Sequence, residues 1–491
     1  MSVERPHILL IVLDSVKAKN TSIHGYNRKT TPFFEQFARE ATVYTQARAP
    51  GMTSLPSHTS MFTGLEVEEH RIHDLVSHSL DPESTIWHTL AEDYDYETGV
   101  FSDNVNLTGD GSLKTAFNQV VGRRGRLFPD ATDPDIFFNS PEYLQSDSDR
   151  SKHIEYLLHC IDDSTPIKSL ANGAAKQLSR TFASATLEQK LDHSADRFLK
   201  PFYSWIDAAE GSWAACINLM DTHLPFYPSN EYDIWGGKKK QRTQAAIDPT
   251  SWKVYGGEIS WNEWIGLEDL YDGTIRQADA YLQSLIQELK ERNIFEDTLV
   301  VITSDHGEGF GEYSRVKPDF RIAGHIVGLH ESLLHVPLLV SYPGQSNSQR
   351  VTELATLRRF PDTVKAVLKD NWSGDEFVPE SSVVASASTV DNKLKSQQRA
   401  GRYCDDISKY GGTIRAVYRR KDGIIRKYLV WDDDGVTIEI EDAQTAATVK
   451  QEDPHENVRK AFSGYTDAGV AKRQGDIDEG TLTHLESLGY V

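Results

Sequence analysis

Aspartate, serine and histidine stand in this chain where they can hold a cation beside a nucleophile. Asp14 closes the apolar run Ile8–Leu13 (ILLIVL), and Asp221 closes Ala214–Met220 (AACINLM). Asp305 and His306 follow Leu299–Thr303 (LVVIT) after a single serine. Carboxylate oxygen and imidazole nitrogen are the donors that hard or borderline divalent cations accept, and these donor types alone do not separate Ca, Mg, Mn or Zn. A fourth ligand is available from T-S-L-P-S-H at 53–58, where Thr53 and Ser54 carry hydroxyls. Pro56 suits the first turn of a helix running through Met61, so Ser54 faces free backbone N–H groups and the positive end of the dipole. A cation beside that hydroxyl eases its deprotonation, and the helix end favours a tetrahedral anion. The implied chemistry is displacement at sulfur or phosphorus. Taken singly, each feature also has a structural reading, since Asp after a strand forms turns and a hydroxyl at 53 or 54 caps a helix. Asp221 and His223, with His325, offer a second cation site of the two-metal kind, with ions roughly 4 Å apart.

Short apolar runs without alternation suit strands buried on both faces of a parallel sheet. Ile8–Leu13, Thr98–Ser102, Ala214–Met220, Leu299–Thr303 and Val336–Ser341 are five such runs. A helix is expected from Thr31-Pro32, with Thr31 as N-cap. Ala278, Leu282, Leu285, Ile286 and Leu289 mark one face of a second helix within 270–292. Alternating strands and helices predict an α/β domain with a mostly parallel sheet, whose functional groups collect at the strand carboxyl ends. After about residue 378 the pattern shortens to Val383–Ser386, Thr413–Tyr418, Lys427–Trp431 and Val436–Ile440, with a hairpin turn at Asp433-Asp434-Gly435 and a terminal helix near Thr481–Leu488. The expected division is a catalytic domain over 1–378 and a small antiparallel α+β subdomain over 379–491. Residues 140–210 and 229–265 read as insertions that shape the pocket, and Lys238-Lys239-Lys240 as a solvated loop.

The order of motifs resembles the sulfatase family of the alkaline-phosphatase superfamily. It runs through HILLIVLDS (7–15), GYNRKTTP (25–32), PSHTSMFTG (56–64), DTHLPFYP (221–228) and YDGTIRQAD (271–279). It continues with TLVVITSDHGEGFGE (298–312), GHIVGLHESLLHVPLLVSYPG (324–344), DPHENV (453–458) and HLESLGYV (484–491). The resemblance implies an alkaline-phosphatase-like fold and one divalent metal ion held by Asp14, Ser54, Asp305 and His306. Ser54 falls where sulfatases place the residue oxidised to formylglycine. His223 and His325 match histidines that touch substrate, holding a nonbridging oxygen or protonating the leaving group. Thr53 and His58 are further candidates for substrate contact, while Gly307 and Glu308 are read as mainly structural. The formylglycine signature resembles C/S-x-P/A-x-R, and His58 stands in the arginine position. Ser15 replaces a second aspartate, and Asp-His replaces Asp-Asn, as in phosphodiesterase and phosphonate-hydrolase branches. Three functions follow: a sulfate-ester hydrolase using Ser54 or its formylglycine, a phosphodiesterase or phosphotransferase using unmodified Ser54, and a non-catalytic binding protein on the same fold.

The whole chain, 491 residues with 52 Lys+Arg against 73 Asp+Glu, carries a formal charge of −21. That field repels nucleic acid and anionic membranes, and an acidic, halophilic-type surface is the plain reading. The partner expected is a small-molecule or glycan sulfate or phosphate ester. Cys160, Cys216 and Cys404 are odd in number and widely spaced, which excludes a disulfide framework. Ile8–Leu13 is too short to span a membrane and has no signal-peptide flanks, so a soluble cytoplasmic protein is expected.

Overall fold

The computed structural model describes residues 5–73, 78–109, 113–122, 131–132, several positions within 156–173, and 194–247, 250–388, 397, 400–450 and 452–473. The helix expected at Thr481–Leu488 and most of the expected insertion at 140–210 lie outside the described residues.

Eight strands form one sheet in the order Gln349–Thr356, Thr42–Arg48, Leu338–Ser341, Thr298–Thr303, His7–Leu13, Trp213–Leu219, Glu97–Ser102 and Gln119–Val121. Leu338–Ser341 runs antiparallel to both neighbours, whereas the other pairs are parallel. The continuous apolar run of His7–Leu13 is explained by its central place. Ile8, Leu10 and Val12 enter the core on one face, and Leu9, Ile11 and Leu13 enter the core on the other. The helix Glu268–Glu291 covers the second face with Leu270, Ile275, Ala278, Leu282, Leu285, Ile286 and Leu289.

Sequence and structure part in informative places. The helix expected from Thr31 is Pro32–Phe37, but the Thr31 side chain does not cap it. Its hydroxyl instead accepts from Ser22 N at 2.8 Å. Asp279, on the long helix, takes over as cap, accepting from Phe33 N at 2.7 Å and Phe34 N at 3.1 Å. Burial raises the Asp279 carboxyl to about 7. The segment 229–265 carries three helices, Gly237–Ile247, Ser251–Tyr255 and Trp261–Gly266. The lysine run therefore lies on a helix rather than in a loop, and Lys240 pairs with Asp269.

A second, antiparallel sheet of five strands comprises Val383–Ser388, Thr413–Lys421, Ile424–Trp431, Asp434–Ile440 and Ala446–Val449. Its register pairs Trp431 with Asp434, which moves the expected turn to Asp432-Asp433. A second two-residue turn, Asp422-Gly423, joins Lys421 to Ile424 with φ of 53° and 79°, the left-handed pair that tight hairpins require. This sheet shares an apolar core with the rest of the chain: Ile414, Tyr418, Leu429 and Trp431 pack with Met52, Trp252, Leu329 and Leu333. Cys160, Cys216 and Cys404 are all buried free thiols. Among the described residues no helix is long and apolar enough to cross a membrane.

Candidate active site

Six of the residues expected to act together meet at the carboxyl ends of the central strands. Asp14 follows His7–Leu13, and Asp305 and His306 follow Thr298–Thr303. Ligand atoms of Asp14, Asp305 and His306 all lie within 4.8 Å of one another, and all three residues are buried. Ser54 is the first residue of the helix Ser54–Thr63, one turn position later than a cap. Its Oγ lies 3.4 Å from Asp14 Oδ2 and 3.3 Å from His306 Nε2. His325 stacks 4.3 Å from His306, and His223 lies 5.2 Å from His325, centroid to centroid. Relative exposure falls from 7% at His325 and 4% at His223 to zero at Asp14, Ser54, Asp305 and His306. The two histidines are thus the least buried members of the group.

The surrounding chain holds this group in place. Asp14 Oδ2 accepts from Asn104 Nδ2 at 2.9 Å and Asn218 Nδ2 at 3.5 Å, and Oδ1 accepts from Ser15 Oγ at 3.0 Å. Ser15 has a left-handed φ of 66°, and its N–H donates to Asp305 Oδ1 at 3.3 Å. His306 N donates to the same oxygen at 3.0 Å. Asp305 Oδ2 is buried and accepts no hydrogen bond from the described residues. It faces His306 Nε2 at 3.5 Å and His58 Nδ1 at 3.6 Å.

These donors fit a divalent cation. His306 Nδ1 donates to the Gly307 carbonyl at 2.9 Å, so the neutral ring turns its Nε2 lone pair toward the two carboxylates. Burial lowers the His306 pKa, but the Asp305 and Asp14 carboxylates outweigh it and hold the imidazole above its ordinary range. Burial also opposes ionisation of Asp14, yet His223, His306, His325 and His58 together carry its carboxyl below the usual value. The site thus favours positive charge where the three ligands converge. His325 is pushed well below its ordinary value by burial, then by His306 and His223.

Two expectations need correction. His58 does not line the pocket: it is fully buried, donates from Nδ1 to the Ser54 carbonyl at 2.9 Å, and packs edge-on against Phe62. Residue i+4 of a helix lies above residue i, so His58 braces Ser54 from behind. Asp221 lies on the turn Met220–Thr222. Among the described residues, Asp14, Asp305 and His306 form the one group of three or more such ligands, and no second group contains Asp221 and His325. Thr53 is the half-buried N-cap by backbone position, and its side chain makes no cap bond. Two further histidines nearby in the sequence have local partners: His330 Nδ1 accepts from Ser332 N, and His335 Nε2 donates to the Thr45 carbonyl. Asn104, Asn218 and Glu308 are the site residues that sequence reasoning missed or undervalued. Asn104 follows the strand Glu97–Ser102, so the strand-end rule that picked Asp14 pointed to it as well.

The sulfatase family model matches residues 6–369, and the chain belongs to that family. Arylsulfatase K of Canis lupus familiaris is 21% identical over 399 residues, covering 77% of this chain and 66% of that protein. A sulfatase of Formosa agariphila is 21% identical over 359 residues, covering 71% and 66%. The chain spans just under two thirds of the length of these relatives. The crystal structure of the phosphonate monoester hydrolase of Agrobacterium radiobacter matches with a TM-score of 0.58 at 16% identity, covering 94% of each chain. The corresponding enzyme of Silicibacter pomeroyi gives 0.55 at 16% identity. The fold is alkaline-phosphatase-like, an eight-stranded mixed sheet flanked by helices with a five-stranded antiparallel sheet toward the C-terminus.

Proposed function

We propose that the chain is a metal-dependent sulfuric ester hydrolase acting on a small-molecule or glycan sulfate, with Ser54 or formylglycine derived from it as the nucleophile. The observation that carries this reading is the placement of Ser54 Oγ between Asp14 and His306 at a helix start. Asp14, Asp305, His306 and the Ser54 hydroxyl hold the cation, which supplies Lewis acidity and charge neutralisation. In the unmodified form Ser54 Oγ attacks sulfur and its proton passes to a neighbouring base. The S–O bond to the leaving oxygen breaks, and the sulfo group transfers to Ser54. His223 and His325 hold the nonbridging oxygens and supply a proton to the departing alcohol. Water then cleaves the sulfo-serine, releasing sulfate and restoring the hydroxyl.

A second reading, phosphodiester cleavage or phosphoryl transfer by unmodified Ser54, is favoured by His58. It occupies the arginine position of the formylglycine signature and is committed to bracing the Ser54 carbonyl. The mass of the peptide spanning Ser54, from protein of the native host, separates the two. Loss of about two mass units marks formylglycine and supports the sulfate reading. An intact serine shifts the first substrate screen to phosphodiesters. Ser54→Ala should abolish turnover of either ester while the protein still binds one divalent ion per chain; turnover near the wild-type rate rules out Ser54 as nucleophile.

A further inference from the structure

Glu308 belongs to the D-H-G-E run, and its sequence position says nothing of a partner. The partner comes from a hairpin. Strands Gly309–Tyr313 and Arg321–Gly324 pair antiparallel, with Gly309 opposite Gly324. Continuing that register by one residue sets Glu308 opposite His325. The side chains meet there: His325 Nδ1 donates to Glu308 Oε2 at 3.1 Å, and the other carboxylate oxygen accepts from Gly309 N at 3.2 Å. Glu308 is 1% exposed.

Glycines at the foot of the hairpin allow this approach. Gly324 has φ of +66°, and a Cβ there would collide with Ser251 Oγ and come within 3.5 Å of Glu308 Oε1. Ser251 starts one of the helices in the 229–265 segment, so that segment closes the wall behind the pair. Nδ1 is engaged by Glu308, Nε2 stands on the far side of the ring, and the ring is set by contacts with His306 and His223. A buried carboxylate that fixes an imidazole's tautomer and orientation is a general device for aiming the other ring nitrogen.

We infer that Glu308 is the positioning residue for His325, orienting its imidazole toward the transferred group and leaving oxygen of the ester. The inference rests on the reading of Ser54 as nucleophile. Glu308 itself touches neither ester nor cation in this scheme; it acts through His325. The same role assigns a purpose to the 229–265 segment, which holds the hairpin foot against the site.

The test is a double-mutant cycle of Glu308→Gln and His325→Ala in the metal-loaded full chain, read on two esters that differ in leaving-group acidity. The pair is 4-nitrophenyl and phenyl sulfate, or the matching phosphodiesters if the Ser54 peptide is unmodified. Glu308→Gln should lower kcat at least tenfold on the phenyl ester and much less on the 4-nitrophenyl ester. KM should change less than twofold, with one metal ion per chain retained. In the His325→Ala background the same substitution should cost less than a further twofold. Calorimetric titration with orthovanadate gives a turnover-independent readout. Glu308→Gln should weaken binding in the wild-type background and leave it unchanged in His325→Ala. Equal losses on the two esters, additive losses in the cycle, or a loss that tracks missing metal each overturn the inference. Failure of the underlying reading looks different, because Ser54→Ala then retains turnover.

Discussion

Asp305 is the residue on which the site's electrostatics turn. One of its oxygens takes two backbone N–H groups, from Ser15 and His306, and the other stands buried without a donor. Asp305→Asn keeps the shape but removes the charge, so the variant should lose the bound ion and turnover together. Elemental analysis of the purified protein checks this, with one ion per chain in wild type and well under half in the variant. Gly307 is the companion case. A Cβ at that position would overlap the Ser332 carbonyl and sit 2.9 Å from Lys17 Cβ. Gly307→Ala should therefore shift the Asp305-His306 backbone and cost about 1–3 kcal/mol, visible in urea unfolding. Asp14, Ser54, Asp305 and His306 were legible in the sequence because each lies at the end of an apolar strand or the start of a helix. Glu308 was not, because its partner is reached through a hairpin whose pairing no local pattern announces. His58 was misassigned for a related reason: helical spacing puts it next to Ser54, yet only burial shows which way it faces.

At the scale of elements, Glu331 ties the central sheet to the antiparallel one. It pairs with Arg48 at 3.0 Å and with Lys427 at 2.8 Å, and accepts from Tyr418 at 2.6 Å. Burial alone would raise its carboxyl, but Lys427 and Arg48 hold it far below the ordinary range. The sign follows from that depression. The contribution to stability is present above the unfolded carboxylate value, near 4.3, and is lost as pH falls through the folded value. Glu331→Gln leaves two cations buried without their counter-charge and should cost about 3–5 kcal/mol at neutral pH. The gap to wild type should narrow as pH is lowered below about 4; a gap that stays constant to pH 3 would show that the pairing is not what the substitution removes. The central strands were easy to read, since burial on both faces writes itself as a run of apolar residues. Thr42–Arg48 and Gln349–Thr356 were missed because their faces carry buried Gln46 and Arg48, or exposed Gln349, Arg350, Thr352 and Glu353, where a core run has none.

Over the whole molecule, the five-stranded sheet shares its larger apolar core with the rest of the chain. Its inward face packs on Met52, Trp252, Leu329 and Leu333, and Arg415 reaches Glu68 at 2.9 Å beside the helix that carries Ser54. A chain ending at residue 378 should expose that shared core and aggregate, even though Asp14, Ser54, Asp305 and His306 all precede the cut. Soluble, metal-loaded 1–378 would show instead that the two sheets fold independently.

Two of the three thiols turn this arrangement into a clock. Cys216 sits in the central strand between two parallel neighbours, whereas Cys404 lies 7% exposed on the seam of the antiparallel sheet. A thiol reagent added to the native protein should tag Cys404 whenever the seam parts and Cys216 only when the whole chain lets go. The ratio of the two labelling rates then times the loosening of the C-terminal sheet against the life of the fold.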